Sequence, residues 1–284
     1  MSGKPIIAII GAGQMGSAIG ARCLAYGAAV ITPLSGRSKA SCDRARLAGM
    51  QACEFDELPS ARWIVSIVPP AEAQRVADQV APFLAKRGPL FIDANALAPA
   101  TKCAMAARIE AGGGYFVDGA IIGHPPRAGE TGPRFYLSGE FAPEALALRD
   151  LGIDLRVLEG SIGTAAALKM CYASLNKGIT ALTSAALLAA DRSGIADPLM
   201  DEWNISQSFI RDRARQSVPA MYPKAHRWIA EFEEIADFVG NETAEGHMFS
   251  ALGEFFAERA SSKAQDTELA RIKAILDHDI HPEQ

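Results

Sequence analysis

A glycine-rich motif near the N-terminus has the spacing of a dinucleotide-binding loop. The apolar run Ile6–Ile10 suits a buried strand; it leads into the pattern Gly-x-Gly-x-x-Gly, and a helix is predicted from Ser17 to about Tyr26. In such a loop the first glycine allows a tight turn, the second lets the backbone approach a pyrophosphate, and the third lets helix and strand pack closely. The free N–H groups at the start of the helix would then bind the anion. The predicted cofactor loop, whose alternative is a turn that serves only packing, contains Gly11, Gly13, Gln14, Met15 and Gly16.

The segment after the second predicted strand indicates which dinucleotide would bind. An NAD site usually has an acidic residue at this point to bind the ribose 2′-hydroxyl. Here the predicted strand Ala28–Leu34 is followed by Ser35, Arg37 and Ser38, and the first acidic residue is Asp43. A guanidinium and two hydroxyls can bind a 2′-phosphate, which a carboxylate would repel. The segment therefore favours NADP(H), and the alternative is a solvated basic loop.

A single lysine in a long apolar segment has the character of a proton-transfer residue. The charged residues nearest to Lys169 are Glu159 and Lys177. Burial would lower the pKa of Lys169 toward the working pH, as a general acid or base requires. Tyr172 and Asn176 follow on roughly the same helix face. The alternative is a lysine that extends its ammonium to solvent at an interface.

The elements that must position these residues alternate in the first half of the chain. Predicted strands are Ile6–Ile10, Ala28–Leu34, Trp63–Val68, Leu90–Asp93, Tyr115–Ala120 and Arg134–Ser138, and predicted helices are Ser17–Tyr26, Lys39–Ala48, Ala71–Leu84 and Pro99–Ala111. This alternation predicts an α/β Rossmann domain with a doubly wound, mostly parallel sheet. The rest reads as helix, beginning with the apolar segment Gly163–Arg192, so we predict a Rossmann domain at 1–160 and an all-α domain at 161–284. One helical domain of this size would leave apolar surface uncovered, which predicts a homodimer through the helical domain.

Ligands in such sheets bind outside the carboxyl ends of the strands, and three polar or proline-containing segments lie there. After the third and fourth predicted strands we assign four residues to the cofactor, Val68, Pro69, Pro70 and Asn95. We assign four residues to the substrate: Gly123, His124 and Arg127 after the fifth predicted strand, and Asn176 on the long helix. Arg227, in a later charged helix, is also assigned to the cofactor. For His124, Arg127 and Arg227 the alternative is ordinary solvation.

Composition narrows the class of protein. The formal net charge is −5 and the pI is about 5.6, which gives no indication of nucleic-acid or acidic-membrane binding. The five cysteines are scattered, with no Cys-x-x-Cys pair, so we expect free thiols in a reducing compartment and no metal site. No signal peptide and no membrane-spanning run is expected, which predicts a cytoplasmic protein.

Taken together, these motifs resemble the β-hydroxyacid dehydrogenase superfamily, which includes 3-hydroxyisobutyrate and 6-phosphogluconate dehydrogenases. The resemblance covers the whole chain and is strongest to a poorly characterised 6-phosphogluconate dehydrogenase-like branch. It implies a Rossmann domain, an all-α domain that helps to complete the active site, and dimers or tetramers. It also implies reversible NAD(P)-linked oxidation of a β-hydroxyacid, with Lys169 matching the catalytic lysine.

The sequence departs from the family pattern on the substrate side. Ala173 stands where the family has an asparagine, and Asn176 lies two turns from Lys169, about 10 Å along the axis. The usual Ser-Gly-Gly of the substrate loop is replaced by Ile122–His124, and Asn95 stands where a serine is common. A simple β-hydroxyacid such as 3-hydroxyisobutyrate is therefore not favoured.

The main interpretation is an NADP(H)-dependent oxidoreductase. It would act on a hydroxyl or carbonyl carbon of a small, carboxylated metabolite, with Lys169 transferring the proton. Reduction of a C=N bond is a second interpretation, since related imine reductases replace the lysine and Tyr172 lies nearby. A non-catalytic NADPH-binding sensor is a third.

Overall fold

Eight short strands form one sheet in the first part of the chain. The computed structural model describes residues 4–84, 88–127, 129–261 and 264–277. Its strands are β1 (Ile6–Ile10), β2 (Ala29–Pro33), β3 (Gln51–Cys53), β4 (Trp63–Ser66), β5 (Leu90–Asp93), β6 (Tyr115–Ile122), β7 (Arg134–Ser138) and β8 (Asp154–Val157). The strand order is β3-β2-β1-β4-β5-β6-β7-β8, with β6 and β7 antiparallel and every other neighbouring pair parallel. Because the chain runs outward in both directions from β1 and β4, the gap between their carboxyl ends is the point where such sheets bind ligands.

Ten α-helices complete the described part of the chain. Those that accompany the sheet are α1 (Gln14–Ala25), α2 (Lys39–Leu47), α3 (Pro70–Val80) and α4 (Pro99–Ala111). The long helix α5 (Thr164–Ser193) comes next. It is followed by α6 (Ala196–Ser206), α7 (Ser208–Met221), α8 (Ala225–Val239), α9 (Ala244–Arg259) and α10 (Leu269–Leu276). Pro70 and Pro99 occupy the first positions of α3 and α4, where a missing N–H and a fixed φ suit a helix start.

The predicted fold class is confirmed, with differences at particular strands. All six predicted strands are present, but β3 and β8 were missed. Gln51–Cys53 is short and mostly exposed, and Asp154–Val157 has two charged residues, so neither has the apolar run by which the others were recognised. β6 extends to Ile122, two residues beyond its predicted end, because it pairs antiparallel with β7.

Apolar side chains cover both faces of the sheet. Alternate residues of β1 point to opposite faces, with Ile7 and Ile9 in one buried cluster and Ala8 and Ile10 in the other. This alternation follows from the two-residue repeat of a strand. The sheet is therefore buried between helical layers, and only its strand ends can present polar groups.

The chain divides into two compact units, Met1–Met170 and Cys171–Gln284, so the division falls within α5. The second unit is built from helices, and α8 packs against α9 through Trp228, Phe232 and Phe256. No helix in the described ranges is long and apolar enough to cross a membrane.

Candidate functional site

The three glycines between β1 and α1 have different surroundings. A Cβ atom at Gly11 would lie 2.2 Å from the carbonyl oxygen of Ile67, and the φ of Gly11 is +107°. A Cβ at Gly16 would lie 2.0 Å from the carbonyl oxygen of Gly11. A Cβ at Gly13, in contrast, would meet nothing within 4 Å. Packing therefore requires the first and third glycines, whereas the second faces open space.

The start of α1 provides backbone donors beside that open space. Gly13 is the N-cap residue, and no side chain accepts a hydrogen bond there. The Ser17 hydroxyl donates to the Gly13 carbonyl (2.7 Å) and so closes the first turn from within. Gln14 is exposed and Met15 is half-buried against the core. An uncapped helix start next to free volume fits the pyrophosphate of a dinucleotide.

The structure brings an acidic residue to the end of β2. The Ser35 hydroxyl lies 2.8 Å from both carboxylate oxygens of Glu54, which follows β3. The sequence prediction considered only the residues after β2 and expected no carboxylate here. That expectation is wrong, because the missed strand β3 pairs in parallel with β2 and so carries Glu54 to the same edge.

Cations also converge at this edge. The Nε of Arg44 donates to the Ala12 carbonyl (3.0 Å) in the glycine loop, and its Nη2 donates to the Ser41 hydroxyl (3.1 Å). Arg44 was missed because it reads as an ordinary charge on α2. The hydrogen bond and the charge of Arg75 lower the pKa of Glu72, and the charge of Arg37, which was predicted, adds a smaller effect in the same direction.

At the N-terminus of α2 the predicted Ser38 has a structural contact. Its hydroxyl accepts a hydrogen bond from the backbone N–H of Ser41 (3.3 Å) and so caps the helix. An N-cap hydroxyl still has capacity to bind a second group.

The turn after β4 is held by the side chain of Asn95. The backbone N–H of Val68 donates to Asn95 Oδ1 (2.6 Å), and Asn95 Nδ2 donates to Ser66 Oγ (3.0 Å) and to Asp93 Oδ2 (2.6 Å). Asn95 is buried, so its amide organises the turn. Pro69, the residue after Val68, is exposed, and Pro70 is half-buried.

Lys169 lies at the carboxyl end of β6. Its Nζ donates to the backbone carbonyl of Ile121 (2.6 Å). The side chain is half-buried, and burial lowers its pKa to about 8. The first turn of α5 is fixed by Asp118, because Asp118 Oδ2 accepts from the N–H groups of Gly163 and Ala166 (3.0 Å each).

The two other predicted residues on α5 belong to the second unit. Tyr172 is 45% exposed, and Asn176 Oδ1 accepts a hydrogen bond from Arg213 Nη2. Arg213 was not predicted, because it is one of several charges on α7. Arg227 lies exposed on α8 in the same unit.

The predicted substrate residues after β6 lie on an exposed loop. Gly123, His124 and Arg127 are exposed, and Arg127 is 3.9 Å from Glu130. Arg22 of α1 donates to the carbonyl oxygens of Arg127 and Glu130, so the loop is tied to α1. Within the described residues, no group of three or more His, Cys, Asp or Glu side chains could hold a metal ion.

Two family models match parts of the chain. A family model described as NADP oxidoreductase, coenzyme F420-dependent, matches residues 6–96. A model for a domain of unknown function, DUF1932, matches residues 190–258. No curated protein matches the chain.

Solved structures share the fold over nearly the whole chain. The conserved protein MTH1747, of unknown function and similar in structure to 3-hydroxyacid dehydrogenases, is 26% identical, with a TM-score of 0.70 over 92% of this chain and 98% of its own. A 3-hydroxyisobutyrate dehydrogenase from Salmonella typhimurium is 18% identical, with a TM-score of 0.72 over 95% and 100%. An imine reductase from Myxococcus stipitatus in complex with NADP+ is 20% identical, with a TM-score of 0.55 over 94% and 99%. In its first 96 residues this chain is thus similar to NADP oxidoreductases, and over nearly its whole length it shares the two-domain fold of 3-hydroxyacid dehydrogenase-like proteins.

Proposed function

We propose that this protein is an NADP(H)-dependent oxidoreductase acting on a hydroxyl or carbonyl carbon of a small, carboxylated metabolite. The observation that carries the proposal is the position of Lys169, a half-buried amine with a pKa of about 8 at a strand end of the sheet that carries the glycine loop. A group whose pKa lies near the working pH is the most effective general acid or base. The experiment that tests the proposal is a turnover screen of hydroxy- and keto-acids with NADP(H), followed by the Lys169 variant discussed below.

Different residues of the chain would bind the cofactor and transfer the proton. The glycine loop and the start of α1 would hold the pyrophosphate, and a bound nicotinamide would supply or accept the hydride. Lys169 would give a proton to the substrate oxygen during reduction and take it back during oxidation. The Ile121 carbonyl holds the amine in place while leaving the other Nζ hydrogens free to reach a substrate.

The pH dependence of the rate should follow Lys169. In the direction of carbonyl reduction the protonated amine is the active form, so we expect kcat/KM to fall as the pH rises through about 8. In the direction of oxidation the neutral amine is active, so kcat/KM should rise through the same pH. Rate profiles in both directions between pH 6 and about 10 would check this. Profiles that are flat around pH 8 in both directions would contradict the assignment.

The preference for NADP(H) is supported by Arg37, Ser38 and Arg44, and it is opposed by Glu54. The two arginines and the hydroxyl of Ser38 provide donors for a 2′-phosphate. Glu54 engages the Ser35 hydroxyl, so Ser35 is less available than the sequence indicated. We propose that the two cations outweigh the single carboxylate.

Titration of both cofactors tests this balance. We expect the wild type to bind NADPH about 10- to 100-fold more tightly than NADH, since a charged phosphate contact is worth roughly 1.5–3 kcal/mol. Arg37→Ala should remove much of that difference, and Glu54→Gln should increase the affinity for NADPH. Arg46→Ala is the matched control, because this exposed arginine of α2 forms its ion pair with Asp43 on the same helix. Equal affinities of the wild type for the two cofactors would refute the preference.

We propose a carboxylated substrate because an exposed cationic side chain could bind its carboxylate. The guanidinium of Arg127 is exposed, and its contact with Glu130 is long (3.9 Å), so a substrate carboxylate could displace it at little cost. His124, three residues earlier in the same loop, can donate to a substrate oxygen. Asn176 lies in the second unit, where it accepts a hydrogen bond from Arg213, and its assignment to the substrate stays a prediction from the sequence.

Reduction of a C=N bond remains the second candidate. It is supported by the fold shared with the imine reductase and by the partly exposed side chain of Tyr172. A tyrosine can supply the proton that an imine nitrogen requires. The retention of Lys169 favours the first candidate.

We propose that the protein is a homodimer that uses one face of α5. Leu175 and Leu182 lie seven residues apart on that helix and are 67% and 65% exposed. Large exposed leucines aligned on one helix face mark a protein–protein contact. We also propose a cytoplasmic location, because the five cysteines are free and two of them, Cys103 and Cys171, are exposed.

The double variant Leu175→Glu/Leu182→Glu is expected to convert the dimer into a monomer, because two charges would be buried in an apolar contact. Sedimentation velocity at micromolar concentration would measure this. Leu47→Glu is the control, since Leu47 is 82% exposed but lies on α2. A wild type that sediments as a monomer would refute the proposal.

A further inference from the structure

A fully buried lysine lies beneath the candidate site and is used by none of the steps above. Lys102 of α4 has no exposed surface, and neither have Asp93 and Asp118. Its Nζ donates to Asp93 Oδ1, to the Asp93 carbonyl (2.6 Å) and to the Gly119 carbonyl (3.2 Å). It also lies 3.5 Å from Asp118 Oδ1. One ammonium is thus shared between two buried carboxylates, Asp93 at the end of β5 and Asp118 in the middle of β6.

Asp93 is connected by hydrogen bonds to the turn after β4, which lies near the glycine loop. Asp93 Oδ2 accepts a hydrogen bond from the Asn95 amide, which in turn holds the backbone N–H of Val68. The preceding carbonyl, that of Ile67, passes so close to Gly11 that a Cβ there would lie within 2.2 Å. A shift of Asp93 would therefore move the turn that packs on the first glycine.

Asp118 is connected by hydrogen bonds to the first turn of α5, the helix that carries Lys169. Asp118 Oδ2 accepts from the Ser138 hydroxyl and from the N–H groups of Gly163 and Ala166, each at 3.0 Å. Ser138 Oγ accepts from the N–H of Ala165 (3.0 Å), so the first turn of α5 is attached to this cluster. Lys169 follows Ala166 by about one turn of the helix. Asp118 thus sets the position from which Lys169 reaches the sheet.

We propose that Lys102 is a positioning residue: as the shared counter-charge of Asp93 and Asp118, it keeps the turn after β4 and the first turn of α5, which carries Lys169, in a fixed relation. A buried ion cluster is often no more stabilising than apolar residues of the same volume, so stability alone does not require a lysine here. A charge that binds two carboxylates and two carbonyls from different strands does restrict their relative positions. This inference rests on the proposed role of Lys169.

Two variants test the proposal. The first removes the ammonium, and the second also removes one of the two carboxylate charges. Lys102→Met keeps the length of the side chain but leaves two buried carboxylates facing each other, so it should lower the melting temperature strongly. The second variant, Lys102→Met/Asp93→Asn, removes one of these charges, leaves the Asp118 contacts with α5 intact and should recover most of the melting temperature. Arg108→Met is the matched control, because Arg108 is an exposed residue of the same helix whose ion-pair partner is Asp78.

Three readouts are compared in the double variant. A displacement of about 1 Å at a catalytic group can cost on the order of 10²-fold, so we expect kcat to fall by about that factor. The pKa of Lys169, measured from the pH dependence of acetic anhydride labelling of its peptide by mass spectrometry, should rise from about 8 toward the ordinary lysine value as the amine becomes more solvated. The affinity for NADPH should fall by less than about tenfold, since the variant substitutes no residue of the glycine loop and the turn after β4 only packs against it.

A folded double variant with the wild-type kcat and the wild-type labelling profile of Lys169 would overturn the proposal. So would a failure of both variants to fold, which would assign the cluster to folding alone. The labelling result does not depend on turnover. It therefore separates failure of this inference from failure of the proposed function, which would appear as full activity in the Lys169 variant.

Discussion

Replacement of Lys169 by Met is expected to lower turnover by about 10²–10⁴-fold, the usual contribution of a general acid or base. Methionine keeps the length of the side chain and removes the ammonium. The amine lies at the end of β6, where its contact is the Ile121 carbonyl, so its loss should leave the glycine loop intact. We therefore expect the affinity for NADPH to remain nearly unchanged. Steady-state turnover and a fluorescence titration of NADPH would measure the two effects.

The stability of this variant provides an internal control. Burial lowers the pKa of Lys169 to about 8, which means that the folded protein disfavours the charged amine. Below that pH the lysine is charged at a cost to folding, and methionine avoids the cost. The melting temperature of Lys169→Met at pH 7 should accordingly be equal to or higher than that of the wild type, so that a loss of activity cannot be attributed to unfolding.

Tyr172→Phe distinguishes the two candidate proton donors. It deletes only a hydroxyl from a side chain that is 45% exposed. If Lys169 transfers the proton, Tyr172→Phe should retain most of the activity. Loss of activity in Tyr172→Phe, together with its retention in Lys169→Met, would assign the proton to Tyr172 and favour the imine alternative.

Replacement of Gly13 by Val is expected to abolish binding of the nicotinamide cofactor to a protein that remains folded. The position tolerates a side chain, since a Cβ there would meet nothing within 4 Å. That same free volume lies beside the uncapped start of α1, where the pyrophosphate is expected. A branched side chain would occupy this volume and block the approach of the phosphates to the backbone N–H groups. Calorimetric titration of NADPH and a circular dichroism melting curve would measure binding and folding separately.

Gly16→Ala is the contrasting variant. Its Cβ would lie 2.0 Å from the Gly11 carbonyl oxygen, so the backbone of the loop would have to move. We expect this smaller substitution to lower the melting temperature more than Gly13→Val does. A folded Gly13→Val variant that binds NADPH with wild-type affinity would show that the loop is only a packing turn.

The sequence alone was sufficient for most of the sheet and for the loop that follows β1. Strands such as Ile6–Ile10 and Leu90–Asp93 are apolar runs bounded by turn residues, and the glycine spacing is local, so both signals lie within a few residues. Lys169 is predicted in the same way, as one charge in an apolar segment. These features need no knowledge of which strands become neighbours.

The tertiary structure decided the features that depend on strand order. Glu54 meets Ser35 only because β3 pairs with β2, and Lys102 meets both Asp93 and Asp118 only because β5 and β6 are adjacent. In the sequence each of these residues is an ordinary polar or charged side chain separated from its partner by at least nine positions. Local periodicity reports which face of an element is buried, but not which distant side chain it will meet. The apolar pattern and the glycines thus determined the fold and the glycine loop, whereas the pairing of the strands decided which charges surround them.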